Sequence, residues 1–413
     1  MKPPKVELVA PAGNPAKLRA ALHFGADAAY VGMKRHSLRA HAGNFDDDEL
    51  AWAIRYAHDR GKRLYVAVNV QPFDDELVDI EAALARLAQL GPDGVVVGDA
   101  GVLRLARRVA PQLRLHLSTQ ASVVNREAVE EWGERGVERI VLARELSLER
   151  LSALAQRTTT ELEVFAHGAM CVATSGRCFL SLYWAGEHRD PRHGTCAQPC
   201  RWPYLERTVA EARYPEREHH LEQDERGTYF FDSRDLCALP VLDQLVRTGV
   251  HALKVEGRTR SVHYVATVVD VYREALDLLT AGDESQWRAR VPELMGELGR
   301  SSKRRFSTHF LAGQQDAIET YQPDGGSPGA GEAVLVGTVR QVATDFVELE
   351  LHNPVEPGTR LEFRDRGMRC EPVTVTALAT SEGSRVERGR AGAVVRFPAR
   401  LSISPGSLAR RAE

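Results

Sequence analysis

The sequence predicts an α/β fold, a (β/α)8 barrel of the TIM type, and three observations point to it. Short apolar runs rich in Val, Leu and Ala alternate with longer amphipathic stretches through the first 165 residues. Eight such runs can be found, one of them late in the chain. No G-x-G-x-x-G follows the first run, where a doubly wound sheet would place its phosphate loop.

The predicted strands cover residues 6–10, 28–32, 63–69, 94–98, 114–118, 139–143 and 162–166, and the eighth covers 252–256. Helices are expected over 15–24, 47–60, 76–90, 100–109 and 125–135, with Gly25, Gly61, Gly91 and Gly136 as left-handed caps behind four of them. The long interval before the eighth strand becomes a cysteine-rich insertion at 167–240, so the barrel spans 1–280. A helix over 262–279 closes it. Residues 281–331, polar and ending in QPDGGSPGAG, read as a linker or wrapping segment. From 332 to 413 the apolar period drops to two with turn signals between, which predicts a small antiparallel β-barrel.

Composition narrows the class. The chain has 413 residues, 43% hydrophobic and 27% charged, with a formal net charge of -3. It has no uncharged apolar run of about 18 residues that could span a bilayer, and the start MKPPKVELVAPAGN has no apolar signal core. A membrane protein, a disordered chain and a fibrous repeat are excluded, and a cytoplasmic location is expected. From Arg360 to Arg411 there are eleven arginines, no lysine and five acids, a local excess of 11 minus 5, or +6. That end suits a polyanion, or is simply an arginine-rich surface.

Of six cysteines, five lie between Cys171 and Cys237, and only Cys370 lies elsewhere. In a cytosolic chain such a cluster favours metal ligation or redox chemistry over disulfides. No C-x2-C pair is present, which argues against a zinc ribbon, whereas a four-thiolate iron-sulfur cluster tolerates irregular spacing. Cys171, Cys178, Cys196 and Cys237 are taken as the metal ligands, with Cys200 as the alternative.

The stretch EVFAHGAMCVATSGRCFLS (163–181) resembles the signature of the collagenase-like peptidase family 32 of unassigned catalytic type. ELVAPAGN, SLRAHAGNF, HLSTQASVVN, GTCAQPCRWPY, LKVEGR and RRFSTHFLAG extend the resemblance over most of the chain. It implies an oxygen-independent RNA hydroxylase, forming 5-hydroxyuridine in tRNA with prephenate as cosubstrate and a 4Fe-4S cluster. The same resemblance leaves open an rRNA cytidine hydroxylase, a noncatalytic iron-sulfur RNA-binding protein and a collagenase-like peptidase. The last lacks H-E-x-x-H and G-x-S-x-G, leaving only Cys200 with His193 or His167 as a thiol and base pair.

Strand ends select the other site residues. Lys254 and Glu256 share the barrel-lining face of the last strand, with Leu253 and Val255 behind them. With Arg258 just beyond, they suit a small carboxylic acid, although an ion pair inside the barrel is the plainer use of the lysine. His167, near both the barrel mouth and Cys171, is the first proton-transfer candidate, and Glu256 and Lys254 complete the catalytic set. Asn69, Ser118, Gln120, Arg39 and Asn44 join Arg258 as substrate-binding candidates. Thr119 and Ser122 have an ordinary use as caps of the next helix, as Asp99 has for its own. Trp202 and Tyr204 suit stacking on a base or packing over a cluster.

Overall fold

The computed structural model describes residues 5–39, 42–171, 173–201, 203–204, 208–211, 214–220, 222–224, 227–229, 234–282, 284–302, 304–313 and 333–412, without the side chains at 187 and 201–229. Seven parallel strands run in chain order: β1 (Glu7–Pro11), β2 (Ala28–Gly32), β3 (Arg63–Val68), β4 (Gly94–Val97), β5 (Leu115–Leu117), β6 (Arg139–Val141) and β7 (Glu161–Gly168). Beyond β8 (Asp235–Cys237), the closing strand β9 (Ala252–Val255) pairs in parallel with both β7 and β1. The eight-stranded parallel barrel is thereby complete.

Local chemistry starts five of the helices that follow. Asn14 accepts from Lys17 N to cap α1 (Pro15–His23), with proline in the first turn, where its missing N–H costs nothing. Asp46 and Glu49 form a capping box on α2 (Asp47–His58). α3 (Leu77–Leu90) stops at Gly91, whose φ of 70° is left-handed. Asp99 accepts from Gly101 N and Val102 N at the start of α4 (Ala100–Val109). Asn125, rather than Thr119 or Ser122, caps α5 (Arg126–Glu134), and α6 (Leu148–Ala155) follows behind Ser147. Leu18, Leu50, Leu84, Val102 and Leu151 turn inward from successive helices onto the outer faces of Leu8, Val31, Val66, Val97 and Ile140.

The insertion contains α7 (Leu180–Ala185), 3-10 turns and short antiparallel strands between 203 and 229. It returns as β8, antiparallel to β7, and continues through α8 (Leu242–Arg247) into β9. α9 (Val262–Ala281) packs on the barrel. The segment read as a linker is in part ordered: α10 (Glu284–Gly299) buries Trp287, Leu294 and Leu298, and β10 (Phe306–Ser307) pairs with β8. Polar composition and an internal Pro292 hid this helix, because its apolar contacts are few and widely spaced.

The C-terminal module, from Leu335 to Arg411, is an eight-stranded antiparallel sheet around Val336, Leu349, Phe363 and Phe397. It is bolted to the barrel by charge. Asp270 on α9 accepts from Gly367 N at 2.8 Å and Met368 N at 3.0 Å, and Glu297 on α10 accepts from Arg410 Nη2 at 3.2 Å. His23 and Asp365 meet at 2.8 Å. Several of the arginines that suggested a polyanion surface are thus engaged within the protein: Arg364, Arg369, Arg388, Arg396 and Arg410 all face carboxylates.

Candidate active site

A cavity of about 720 Å³ opens at the C-terminal ends of the strands, where side chains of the barrel meet the insertion. Its lining includes seven arginines and Lys254 against two acids, Glu145 and Glu256. Such an excess of fixed cations favours an anionic occupant. Cys171, Cys178, Cys196 and Cys200 all reach this cavity.

Below it the barrel interior is ionic. Arg139 pairs with Glu7, with Glu161 at 2.6 Å and with Glu163 at 3.3 Å. Lys254 Nζ donates to Glu163 Oε1 at 2.6 Å and lies 4.3 Å from the centre of the Tyr30 ring. Lys254 and Glu256 do share the inward face, with Leu253 and Val255 in the outer core. The lysine's charge partner is Glu163, however, while Glu256 Oε1 faces Arg39 Nη2 at 3.5 Å. Burial pulls the His116 imidazole in this interior well below its usual value, and Arg139 and Lys254 add to the effect.

Arg258 is 3% exposed and donates from Nη1 to Ser37 Oγ at 2.7 Å. Desolvation lowers its guanidinium to about 10. Lys17, from α1, donates to the Arg258 carbonyl at 2.9 Å. A β-carbon on Gly32 would sit 2.2 Å from Arg258 Nη1 and 2.5 Å from Ser37 Oγ, so any larger residue at the end of β2 would push the Arg258 and Ser37 side chains out of place. Asn69 Nδ2 and Ser118 Oγ both donate to Gln120 Oε1 at 3.0 Å. This leaves the Gln120 amide NH2 as a donor for a ligand.

Asn44 does not line the cavity. It sits at φ 57° and is 3% exposed, and it donates to the Arg39 carbonyl at 2.8 Å, so it shapes the loop that carries Arg39. His167 is also displaced from its expected place at the mouth. Lys254 pairs with Phe165 and the next residue, Val255, pairs with His167, so Ala166 is an extra residue in β7. The bulge turns His167 out of the barrel toward Phe306, Tyr264 and Tyr272. There it is 1% exposed, and burial lowers its imidazole to about 3.

Cys237 likewise lies outside the cavity. It is 1% exposed in the apolar core, 3.8 Å from both Tyr272 Oη and Met295 Sδ. Burial pushes its thiol up to about 11. The structure therefore places Cys200, not Cys237, with the other three cysteines. Cys196 Sγ accepts from Gln198 N at 3.4 Å, the kind of backbone bond that supports a ligating sulfur. Among the described residues no three His, Cys, Asp or Glu side chains converge as a metal site. His193, the other base considered for a cysteine nucleophile, is engaged by Glu76 at 3.1 Å and Asp190 at 3.3 Å. Trp202 and the side chain of Tyr204 lie outside the described residues.

Sequence reasoning missed Lys17, Arg144 and Glu145. Arg144 lies 4.1 Å from the centre of the Phe165 ring and donates to the Ala169 carbonyl at 2.9 Å. Glu145 accepts from Ser175 N at 2.6 Å and Ser175 Oγ at 3.1 Å, and Ser122 donates to the Ser175 carbonyl. Ser175 is thus the point at which the loop from Cys171 to Cys178 is fastened to the ends of β5 and β6. The usable signal was position, since Arg144 and Glu145 directly follow a predicted strand.

The family model described as Peptidase family U32 matches residues 13–321. The chain belongs to peptidase family U32. Within U32 it is 32% identical over 412 residues to the Bacillus subtilis tRNA hydroxylation protein P1, covering 98% of this chain and 95% of that one. The Escherichia coli tRNA hydroxylation protein P is 37% identical over 315 residues, 67% of this chain and 69% of that protein. An Escherichia coli protein named as a 23S rRNA 5-hydroxycytidine synthase is 31% identical over 368 residues, 86% of this chain and 52% of its own length.

Proposed function

We propose that the protein is a cytoplasmic tRNA-modifying hydroxylase that forms 5-hydroxyuridine, with prephenate as the small-acid cosubstrate and a 4Fe-4S cluster as cofactor. The observation that carries this reading is the match, over nearly the whole chain, to a protein named for tRNA hydroxylation. The cavity supports it. Arg39 and Arg258 would hold the carboxylates of the small acid at the end of the barrel, with Lys17 and Ser37 fixing Arg258. The Gln120 amide, its oxygen committed to Asn69 and Ser118, can donate to a pyrimidine carbonyl.

Cys171, Cys178, Cys196 and Cys200 would hold the cluster: four soft donors border one cavity, one of them already accepting a backbone N–H. When bound it supplies one-electron chemistry beside that cavity. Glu145 and Ser175 keep the loop bearing the first two thiols against the barrel.

Mass spectrometry of tRNA nucleosides from a strain lacking the gene tests the reading. Loss of 5-hydroxyuridine and its derivatives supports it, and an unchanged nucleoside profile overturns it. No helix among the described residues is long and apolar enough to cross a membrane.

A further inference from the structure

We infer that Phe179, Tyr183 and Trp184 form a stacking platform at the cavity mouth for unpaired RNA bases flanking the target nucleotide, an inference that rests on the RNA reading above. The helix α7, which carries Tyr183 and Trp184 and begins directly after Phe179, is inside out. Its fully buried residue is the polar Ser181, which donates to the Arg189 carbonyl at 2.6 Å and accepts from Ala197 N at 2.9 Å. With that pin turned inward, the aromatic rings are turned out: Phe179 is 61%, Tyr183 91% and Trp184 56% exposed.

Burial of large apolar side chains is the strongest drive in folding, so grouped aromatic rings left in water point to a binding surface. Phe179 and Tyr183 are four residues apart and joined by the backbone bond from Tyr183 N to Phe179 O at 3.1 Å, which puts them side by side on one face. Trp184 is next in the chain. The strip is also continuous with the site, because Phe179 lines the cavity.

Charge decides the occupant. The strip adjoins a cavity lined by seven arginines and Lys254. Although Arg39, Arg192, Arg260 and Lys254 face Glu256, Asp190, Asp235 and Glu163, and Glu145 also borders the cavity, the balance stays positive. Single-stranded nucleic acid needs both parts of that arrangement, cations for its phosphates and flat apolar faces for its bases. Stacking tolerates any base, so the platform would grip the strand while the cavity selects the nucleotide. A cavity of about 720 Å³ admits a nucleotide and not a helical duplex, so the target base must be unstacked to enter.

Fluorescence anisotropy with a labelled RNA stem-loop carrying uridine in its loop, and with a fully paired duplex, tests the platform. Tyr183→Ala should weaken stem-loop binding roughly tenfold, Tyr183→Phe should retain it, and duplex binding should not change. Unaltered stem-loop affinity in Tyr183→Ala, with the wild type binding well, would overturn the platform while the RNA reading stands. If the wild type binds neither RNA, both fall. Sedimentation showing a wild-type dimer that Tyr183→Ala converts to a monomer with full RNA affinity would make the strip a self-association surface and overturn the inference.

Discussion

Surroundings separate Cys200 from Cys237. Cys200 borders the cavity with Cys171, Cys178 and Cys196, whereas Cys237 is buried 3.8 Å from both Tyr272 Oη and Met295 Sδ. Cys200→Ala should abolish iron binding on anaerobic reconstitution. Cys237→Ala should retain about four irons per chain and lower stability by about 1–2 kcal/mol, read by iron assay and urea titration. Glu163 makes a second single-residue case. It holds Lys254 while 1% exposed, so Glu163→Gln strips that buried ammonium of its charge partner, although Arg139 keeps Glu7 and Glu161. Breaking such a pair costs about 3–5 kcal/mol, which should appear as a large drop in the unfolding midpoint.

At the scale of elements, the barrel strands were legible because a strand buried on both faces is a continuous apolar run, and Asn14, Asp46, Asp99, Asn125 and Ser147 stand as caps at five of the helix starts. The bulge in β7 was not legible: one extra residue in a ladder leaves no trace in an apolar sequence, yet it decides which way His167 points. Spacing left the fourth thiol open between Cys237 and Cys200 for a related reason. Spacing counts residues along the insertion, whereas the flanks carried the information: Cys237 lies between Leu236 and Ala238, both buried, and Cys200 follows a Gln-Pro turn. Arg258, Ser118 and Gln120 line the cavity, as expected of residues at the ends of barrel strands. The loop from Cys171 to Cys178 is an element anchored through Ser175. Glu145→Gln weakens the acceptor for Ser175 N and Oγ, so hydrogen exchange through residues 173–178 should accelerate severalfold with global stability within about 1 kcal/mol of wild type.

In the whole molecule, the C-terminal module and the barrel share buried charge, and this gives the fold a pH dependence. His263 on α9 is buried beside Arg410, Glu297 and Arg364, and desolvation lowers its imidazole from 6.5 to about 4. The unfolded chain therefore takes up this proton first as pH falls. The His263 contribution is complete above about pH 6.5 and declines toward pH 4. Between pH 7 and 4.5 the wild type should lose about 2 kcal/mol more than His263→Gln in parallel urea titrations, and equal losses would refute the assignment. Beneath the cavity, Glu7, Arg139, Glu163 and Lys254 stopper the barrel, which makes the site a cul-de-sac. A small molecule seated against Arg258 can only have entered before something large covered the opening, and its remnant must wait until that cover lifts. On the proposed function, the plugged end of the barrel would thus fix an order, the small acid entering before the RNA and its remnant leaving after it.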